Sequence, residues 1–218
     1  MSKRIAVLGL GQFGTALATE LTSLGCEVLA VDESEKSVDA IRDHVTDAAV
    51  ADVRDRAALE ELFSSSFDVV VVAIGTALEA AIMATLHLKD LGVPEVWVEA
   101  SDRARADALK KVGATRVISP EHEMGRRLAQ RLANPDLLEF LPLTTGYGVI
   151  EIEAPAWTYG KTLADLDLRN SMKVAVIAIR SGEDAVVVVP GGRAVPGEGD
   201  ILTLVGRDAD LAGFRDRT

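Results

Sequence analysis

The 218-residue chain is 48% hydrophobic and 26% charged with a net charge of −11, a balance that fits a folded globular protein and excludes a disordered one. Its acidity repels phosphate backbones and anionic lipid surfaces, which argues against nucleic-acid binding and direct membrane insertion. The single cysteine, Cys26, cannot close an intrachain disulfide and, between two apolar stretches, is expected to act as a small buried hydrophobe.

Residues 4–14 read R-I-A-V-L-G-L-G-Q-F-G, and an alanine-rich amphipathic stretch follows over 15–24. That order predicts a strand, a glycine turn and a helix. Each glycine has its own steric role, since Gly9 permits the tight turn, Gly11 lets a phosphate approach the backbone, and Gly14 lets helix and strand pack closely. The helix N-terminus adds free N–H groups and a positive dipole end for an anion. A signal peptide is a poorer reading, because the apolar run is short and holds two glycines. A second apolar run, 27–31, leads to Asp32, at roughly the 20-residue spacing of a carboxylate that accepts hydrogen bonds from a ribose.

Ser34 is placed to cap a helix reaching residue 43, and a short strand over 48–51 ends at Asp52. Asp52 either contacts an adenosine or caps the helix predicted over 55–63. After a loop at 64–66, residues 67–74 are almost continuously apolar, as suits a central parallel strand covered on both faces. The stretch 69–88 approaches membrane-spanning length, but Gly75, Thr76, Glu79 and His87 interrupt it, so strand then helix (77–91) is the better parse. A strand at 95–98, a helix at 102–112, a strand at 115–119 and a helix from Pro120 to about 133 complete the alternation. The pattern predicts a Rossmann-like, doubly wound, six-stranded parallel sheet followed by a crossover helix. Ligands of such sheets lie beyond the C-terminal strand ends, which makes Gly9 to Gly14, Asp32, Asp52, Gly75, Thr76, Ala100 and Ser101 the candidates.

From Gly146 the pattern changes to period-two strands, over 149–153, 174–179, 185–189 and 201–205, with a short helix at 161–166. The predicted organisation is a nucleotide-binding domain with its crossover helix (1–134), a linker (135–143) and a small α+β lobe (144–218). Catalytic signals are thin. His44, His87 and His122 form no metal-spaced set, and there is neither a G-x-S-x-G elbow nor a P-loop Lys-Ser/Thr. Glu121 and Glu123 flank His122 and could ligate a metal, but acids in a helix's first turn favour the macrodipole anyway, and the residues alone prefer that reading.

Several coincident motifs make the chain resemble the RCK family, the cytosolic regulatory subunits of Ktr/Trk potassium uptake systems. They are V-L-G-L-G-Q-F-G, L-A-V-D (29–32), V-V-A-I-G (71–75), G-A-T-R-V-I-S-P-E (113–121) and E-M-G (123–125). The lobe adds G-K-T-L-A-D-L-D-L-R (160–169), V-I-A-I-R (176–180) and G-D-I-L-T-L-V-G (199–206). The resemblance implies a sensory protein with no catalysis of its own, which binds ATP, ADP or NAD(H). It would form homodimers through the helix after the sixth strand, assembled as an octameric ring against a membrane potassium channel subunit at the cytoplasmic face of the inner membrane. Carried over residue by residue, it gives the phosphates to Gly9, Gly11 and Gly14 with Gln12 and Phe13 between them, and the ribose to Asp32. The adenosine side falls to Asp52 and Ile74, Gly75 and Thr76, with Ala100 nearby. Glu121 matches a position where some members bind calcium, magnesium or sodium at the dimer interface. Where strong ATP responders often carry arginine, this chain has Gln12, which brings no charge to a γ-phosphate and points to ADP or NAD(H). The competing reading, a small NAD(H)-dependent oxidoreductase, needs an acid or base facing the nicotinamide, and no residue is marked for that role.

Overall fold

The computed structural model describes residues 2–63, 66–133, 137–182 and 185–217; the expected helix stop at Asn134 and Pro135 and most of the loop at 64–66 lie outside them. The chain divides into two compact units, Met1–Glu123 and Met124–Thr218.

The first unit alternates strand and helix: β1 Arg4–Leu8, α1 Gln12–Ser23, β2 Glu27–Asp32, α2 Glu35–Ile41, β3 Asp47–Val50, α3 Arg56–Leu62, β4 Val69–Val72, α4 Leu78–Asp90, β5 Val96–Glu99, α5 Arg103–Val112 and β6 Arg116–Ile118. The strands pair in parallel in the order β3-β2-β1-β4-β5-β6, the doubly wound sheet that the alternation predicts. Side chains start several helices. Ser34 accepts from the Ser37 N–H, the Asp55 carboxylate from the Ala57 N–H and the Asp102 carboxylate from the Arg105 N–H, each satisfying a donor that has no partner within its helix. Alternate residues of β1 feed opposite faces: Ala6 and Leu8 pack with Val72, Leu88 and Leu109, and Val7 packs with Ala18, Val28 and Ile41. Burying each such Val or Leu is worth about 1.5–3 kcal/mol, which fixes the register of the sheet. Cys26 is half-buried beside the second of these clusters, less enclosed than its neighbours suggested.

The chain leaves β1 toward β2 and β3, then returns to pair β4 on the other side of β1. This reversal of strand order opens a crevice at the C-terminal ends of β1 and β4.

Helix α6, Pro120–Ala133, begins in the first unit and runs into the second. Beyond it come β7 Leu137–Thr144, β8 Tyr147–Glu153, α7 Leu163–Leu166, α8 Leu168–Ser171, β9 Ala175–Ser181, β10 Ala185–Val188, β11 Ile201–Arg207 and α9 Asp208–Arg215. The five strands form an antiparallel sheet in the order β10-β9-β11-β8-β7. Two features differ from the sequence reading. Most of the expected linker is β7, an edge strand whose register with β8 shifts twice and which contains Pro142. An edge strand tolerates proline because one side of it donates to no neighbour. Residues 208–215, given no element in the sequence reading, form α9, whose Leu211 and Phe214 are buried with Ile150, Ile152, Leu202 and Leu204.

Candidate functional site

The turn after β1 is built by close approach. Gly9 has φ +98°, and a Cβ there would stand 2.6 Å from the Ala73 carbonyl oxygen; at Gly14 it would stand 1.9 Å from the Gly9 carbonyl oxygen. Neither position admits a side chain as it stands. Gly11 is different: a Cβ would meet nothing within 4 Å. It is the N-cap of α1, with extended backbone and no capping side chain, so no side chain of Gly11 satisfies the first N–H groups of the helix.

Asp32, at the end of β2, clamps this turn. One carboxylate oxygen accepts from the Leu10 N–H at 2.7 Å, and the other from the Ser34 N–H at 2.9 Å. A carboxylate has roughly four lone-pair sites, so two remain for a ligand. Opposite stands the loop after β4. The Arg105 guanidinium donates to the Gly75 and Thr76 carbonyl oxygens at 2.9 and 3.3 Å and pairs with Asp102 at 3.3 Å. Behind the loop the buried Glu99 carboxylate accepts from the Gly75 N–H and fills the space where a Gly75 side chain would go. Burial, with Glu121 adding like charge, holds the Glu99 carboxyl above the usual carboxylate range, against the pull of the Gly75 bond.

These pieces enclose a cavity of about 270 Å³. Of the residues expected at the site, Gly9, Gly11, Asp32, Asp52, Ile74 and Thr76 line it. Gly14 and Gly75 sit behind its wall as packing positions. Gln12 is exposed on the first turn of α1. Phe13 turns away, onto the cluster of Val7 and Ala18 and into a separate apolar groove with Leu17, Trp97 and Ile118. Ala100 is buried in the sheet, its carbonyl accepting from the Ser119 hydroxyl, and it does not line the cavity.

The sequence reading missed Glu33, Ala51, Val53, Arg54, Ala73, Ala77 and Ala80, which complete the lining. Arg54 is the important one. Asp52, undecided in sequence between ligand and helix cap, grips it: Oδ1 accepts from the Arg54 N–H and Nε, both at 2.9 Å, and Oδ2 accepts from Nη2 at 2.7 Å. Those hydrogen bonds hold the Asp52 carboxyl below the usual carboxylate range and raise the Arg54 guanidinium. His87 on α4 bonds the Arg54 carbonyl through Nε2 at 3.2 Å, so it supports the turn from outside. Three acids and one arginine line the cavity, and any phosphate must therefore be received by backbone N–H groups and the α1 dipole.

The TrkA-N domain family matches residues 5–120. Ktr system potassium uptake protein C of Bacillus subtilis is 35% identical over 217 residues, covering 100% of this chain and 98% of its own. Ktr system potassium uptake protein A of Vibrio alginolyticus is 38% identical over 210 residues, covering 96% of this chain and 95% of its own. Among solved structures, the GsuK channel bound to NAD superposes with a TM-score of 0.54 at 21% identity; the match covers 98% of this chain and 38% of that longer one, and the likeness is one of fold.

Proposed function

Because the chain belongs to the TrkA-N family and, through relatives similar over their whole length, to the Ktr potassium uptake proteins, we propose that it is the nucleotide-binding regulatory subunit of a potassium uptake channel. The observation that carries the nucleotide part is the open approach to Gly11 at a helix N-terminus, with Asp32 next to it along the sheet edge. The strands ending at this edge are adjacent in the order β3-β2-β1, and their C-terminal ends offer a phosphate turn, a ribose acceptor and a base end in sequence. The GsuK channel, alike in fold at 21% identity, is a protein solved with NAD bound. With an uncharged Gln12 on the first turn of α1, ADP and NAD(H) are the better ligands and ATP the weaker one. Such a ligand regulates only through different affinities for two conformations of the assembly.

An oxidoreductase is less well supported: among the described residues His87 approaches the cavity only through its bond to a backbone carbonyl. The relatives are named as uptake proteins and not as enzymes. A cation at Glu121 would require donors from a second chain, because no three His, Cys, Asp or Glu side chains gather among the described residues.

The membrane partner is a Ktr-type channel subunit, which would hold the protein at the cytoplasmic face. Among the described residues no helix is long and apolar enough to cross a membrane. The homodimer would form through α6, whose Met124, Leu128 and Leu132 recur every four residues and are all exposed. Four such dimers would make the ring. Isothermal titration of ADP, NADH and ATP into the purified chain tests the central claim: ADP or NADH should bind in the micromolar range or better, and folded protein that binds none of the three refutes it.

A further inference from the structure

Resting on the nucleotide reading above, we infer that the Arg54 guanidinium is the stacking platform for the nucleotide's base, and that it makes this site prefer purine over pyrimidine nucleotides. The argument starts from strand order. Gly9 and Gly11 follow β1, Asp32 ends β2, and Asp52 and Arg54 follow β3, the three strands lying side by side. At about 4.8 Å per strand spacing, the turn beyond β3 stands about 10 Å from the phosphate turn, the span from a nucleotide's diphosphate across its ribose to its base.

The group that meets a base there is not Asp52. Both of its oxygens are engaged by Arg54, Oδ1 by the backbone N–H and Nε, Oδ2 by Nη2 at 2.7 Å and Nε at 3.0 Å. The same grip decides what Arg54 has to offer. Guanidinium N–H bonds lie in the plane of the group, and along its Nε and Nη2 edge they are taken by Asp52, with Glu33 Oε2 a further 3.6 Å from Nη2. Two carboxylates offset its single charge, so it is a poor phosphate clamp. Beyond that edge it offers its Nη1 N–H groups and its flat faces, and an arginine face stacks on aromatic rings. The orientation is fixed before any ligand arrives, by three side-chain hydrogen bonds to a residue only two positions away and by the His87 bond to the Arg54 carbonyl. The rest of this end is apolar, with Val53, Ile74, Ala77 and Ala80 in the lining, as suits a ring pressed against a cation. A two-ring purine covers more of the guanidinium face than a one-ring pyrimidine, so the preference follows from area.

The test is calorimetric titration of ADP and UDP into wild type, Arg54→Ala, Asp52→Asn and the double variant, with melting temperatures measured alongside. Wild type should bind ADP more tightly than UDP. Arg54→Ala should weaken ADP by about fivefold, the size of one cation–π contact at a partly exposed site, and shift UDP by less, so that the preference narrows. Asp52→Asn, by freeing the guanidinium, should weaken ADP in the wild-type background and add nothing once Arg54 is gone. Equal losses for ADP and UDP would make Arg54 a phosphate-directed charge and overturn the inference. So would an Arg54→Ala variant that keeps the wild-type ADP affinity, in either case leaving the nucleotide reading intact. Wild-type protein that binds neither nucleotide, nor NADH, would overturn both. Arg54 is half-exposed at the rim, so its removal should leave the melting temperature unchanged.

Discussion

A methyl group added at Gly14 and one added at Gly11 should have opposite effects, and the pair separates packing from ligand approach. In Gly14→Ala the new Cβ would lie 1.9 Å from the Gly9 carbonyl oxygen, 3.0 Å from the Gly9 carbonyl carbon and 3.2 Å from the Ala73 Cβ. Carbon and oxygen rest at about 3.3–3.6 Å, so α1 must move away from the β1 turn by well over 1 Å. What it meets is backbone, which cannot rotate aside. Overpacking of this kind costs about 1–3 kcal/mol, and this contact belongs at the upper end. For a chain of this length each kcal/mol lowers the melting temperature by about 2–4 °C, so Gly14→Ala should melt about 6–12 °C below wild type. At Gly11 the added Cβ meets nothing within 4 Å, and φ is −68°, which any residue adopts. Gly11→Ala should therefore melt within about 0.5 kcal/mol of wild type, yet bind ADP or NADH at least tenfold more weakly, because the methyl occupies the approach to the helix N-terminus. Scanning calorimetry and isothermal titration on the two variants decide it. Wild-type affinity in Gly11→Ala would refute the phosphate turn, and a wild-type melt in Gly14→Ala would refute the close packing of α1 on β1.

Gln12→Arg places a charge beside the phosphates, and a hydrogen bond to a charged group is worth about 1.5–3 kcal/mol. ATP should gain tenfold or more over ADP in competition titrations, and an unchanged ratio would remove Gln12 from the site. Because the Glu99 carboxyl titrates above its unfolded value, the folded chain holds that proton more tightly, and the stabilising contribution is present at low pH. Stability should accordingly fall as pH climbs from about 4.3 through the raised value, and Glu99→Gln should flatten that slope in denaturant melts; parallel slopes would contradict it. Leu128→Glu puts a charge in the exposed apolar stripe of α6 and should shift sedimentation toward the monomer, whereas an undisturbed oligomer would move the interface elsewhere.

The parts of the fold that were legible in sequence are those where one residue type has little freedom. Glycines at Gly9 and Gly14 are forced by carbonyls at contact distance, and the Val69–Val72 run is forced by burial on both faces of the sheet. Edge and surface elements carry weaker constraints. In β7, Pro142 and two register shifts destroy the alternation that marks a strand, and α9 presents its charges to the reader while burying only Leu211 and Phe214. Adjacency along the chain also misled. Phe13 lies between two residues of the turn, but on a helix that begins at Gln12 the next position points some 100° away, and it packs into the core instead.

Arg54 was illegible for a different reason. A lone arginine two residues beyond an aspartate reads as a solvated pair, and nothing local says that β3 will lie beside β2 and bring that pair to the edge of the cavity. Tertiary placement also joins the readings that sequence holds apart. Asp32 could be a ribose acceptor or a structural acid, and Asp52 a ligand or a helix cap; in the folded chain Asp32 spends one bond on the β1 turn and one on the Ser34 N–H of its own loop and keeps acceptor capacity, while Asp52 spends its bonds on Arg54. The two acids at neighbouring strand ends thus take different parts in the site. On the nucleotide reading proposed above, Asp32 would shape the backbone that meets the phosphates and keep acceptors for the ribose, and Asp52 would act on a ligand through the cation it holds. What distinguishes them is the number of donors each carboxylate already satisfies, a quantity fixed by strand order and not by residue type.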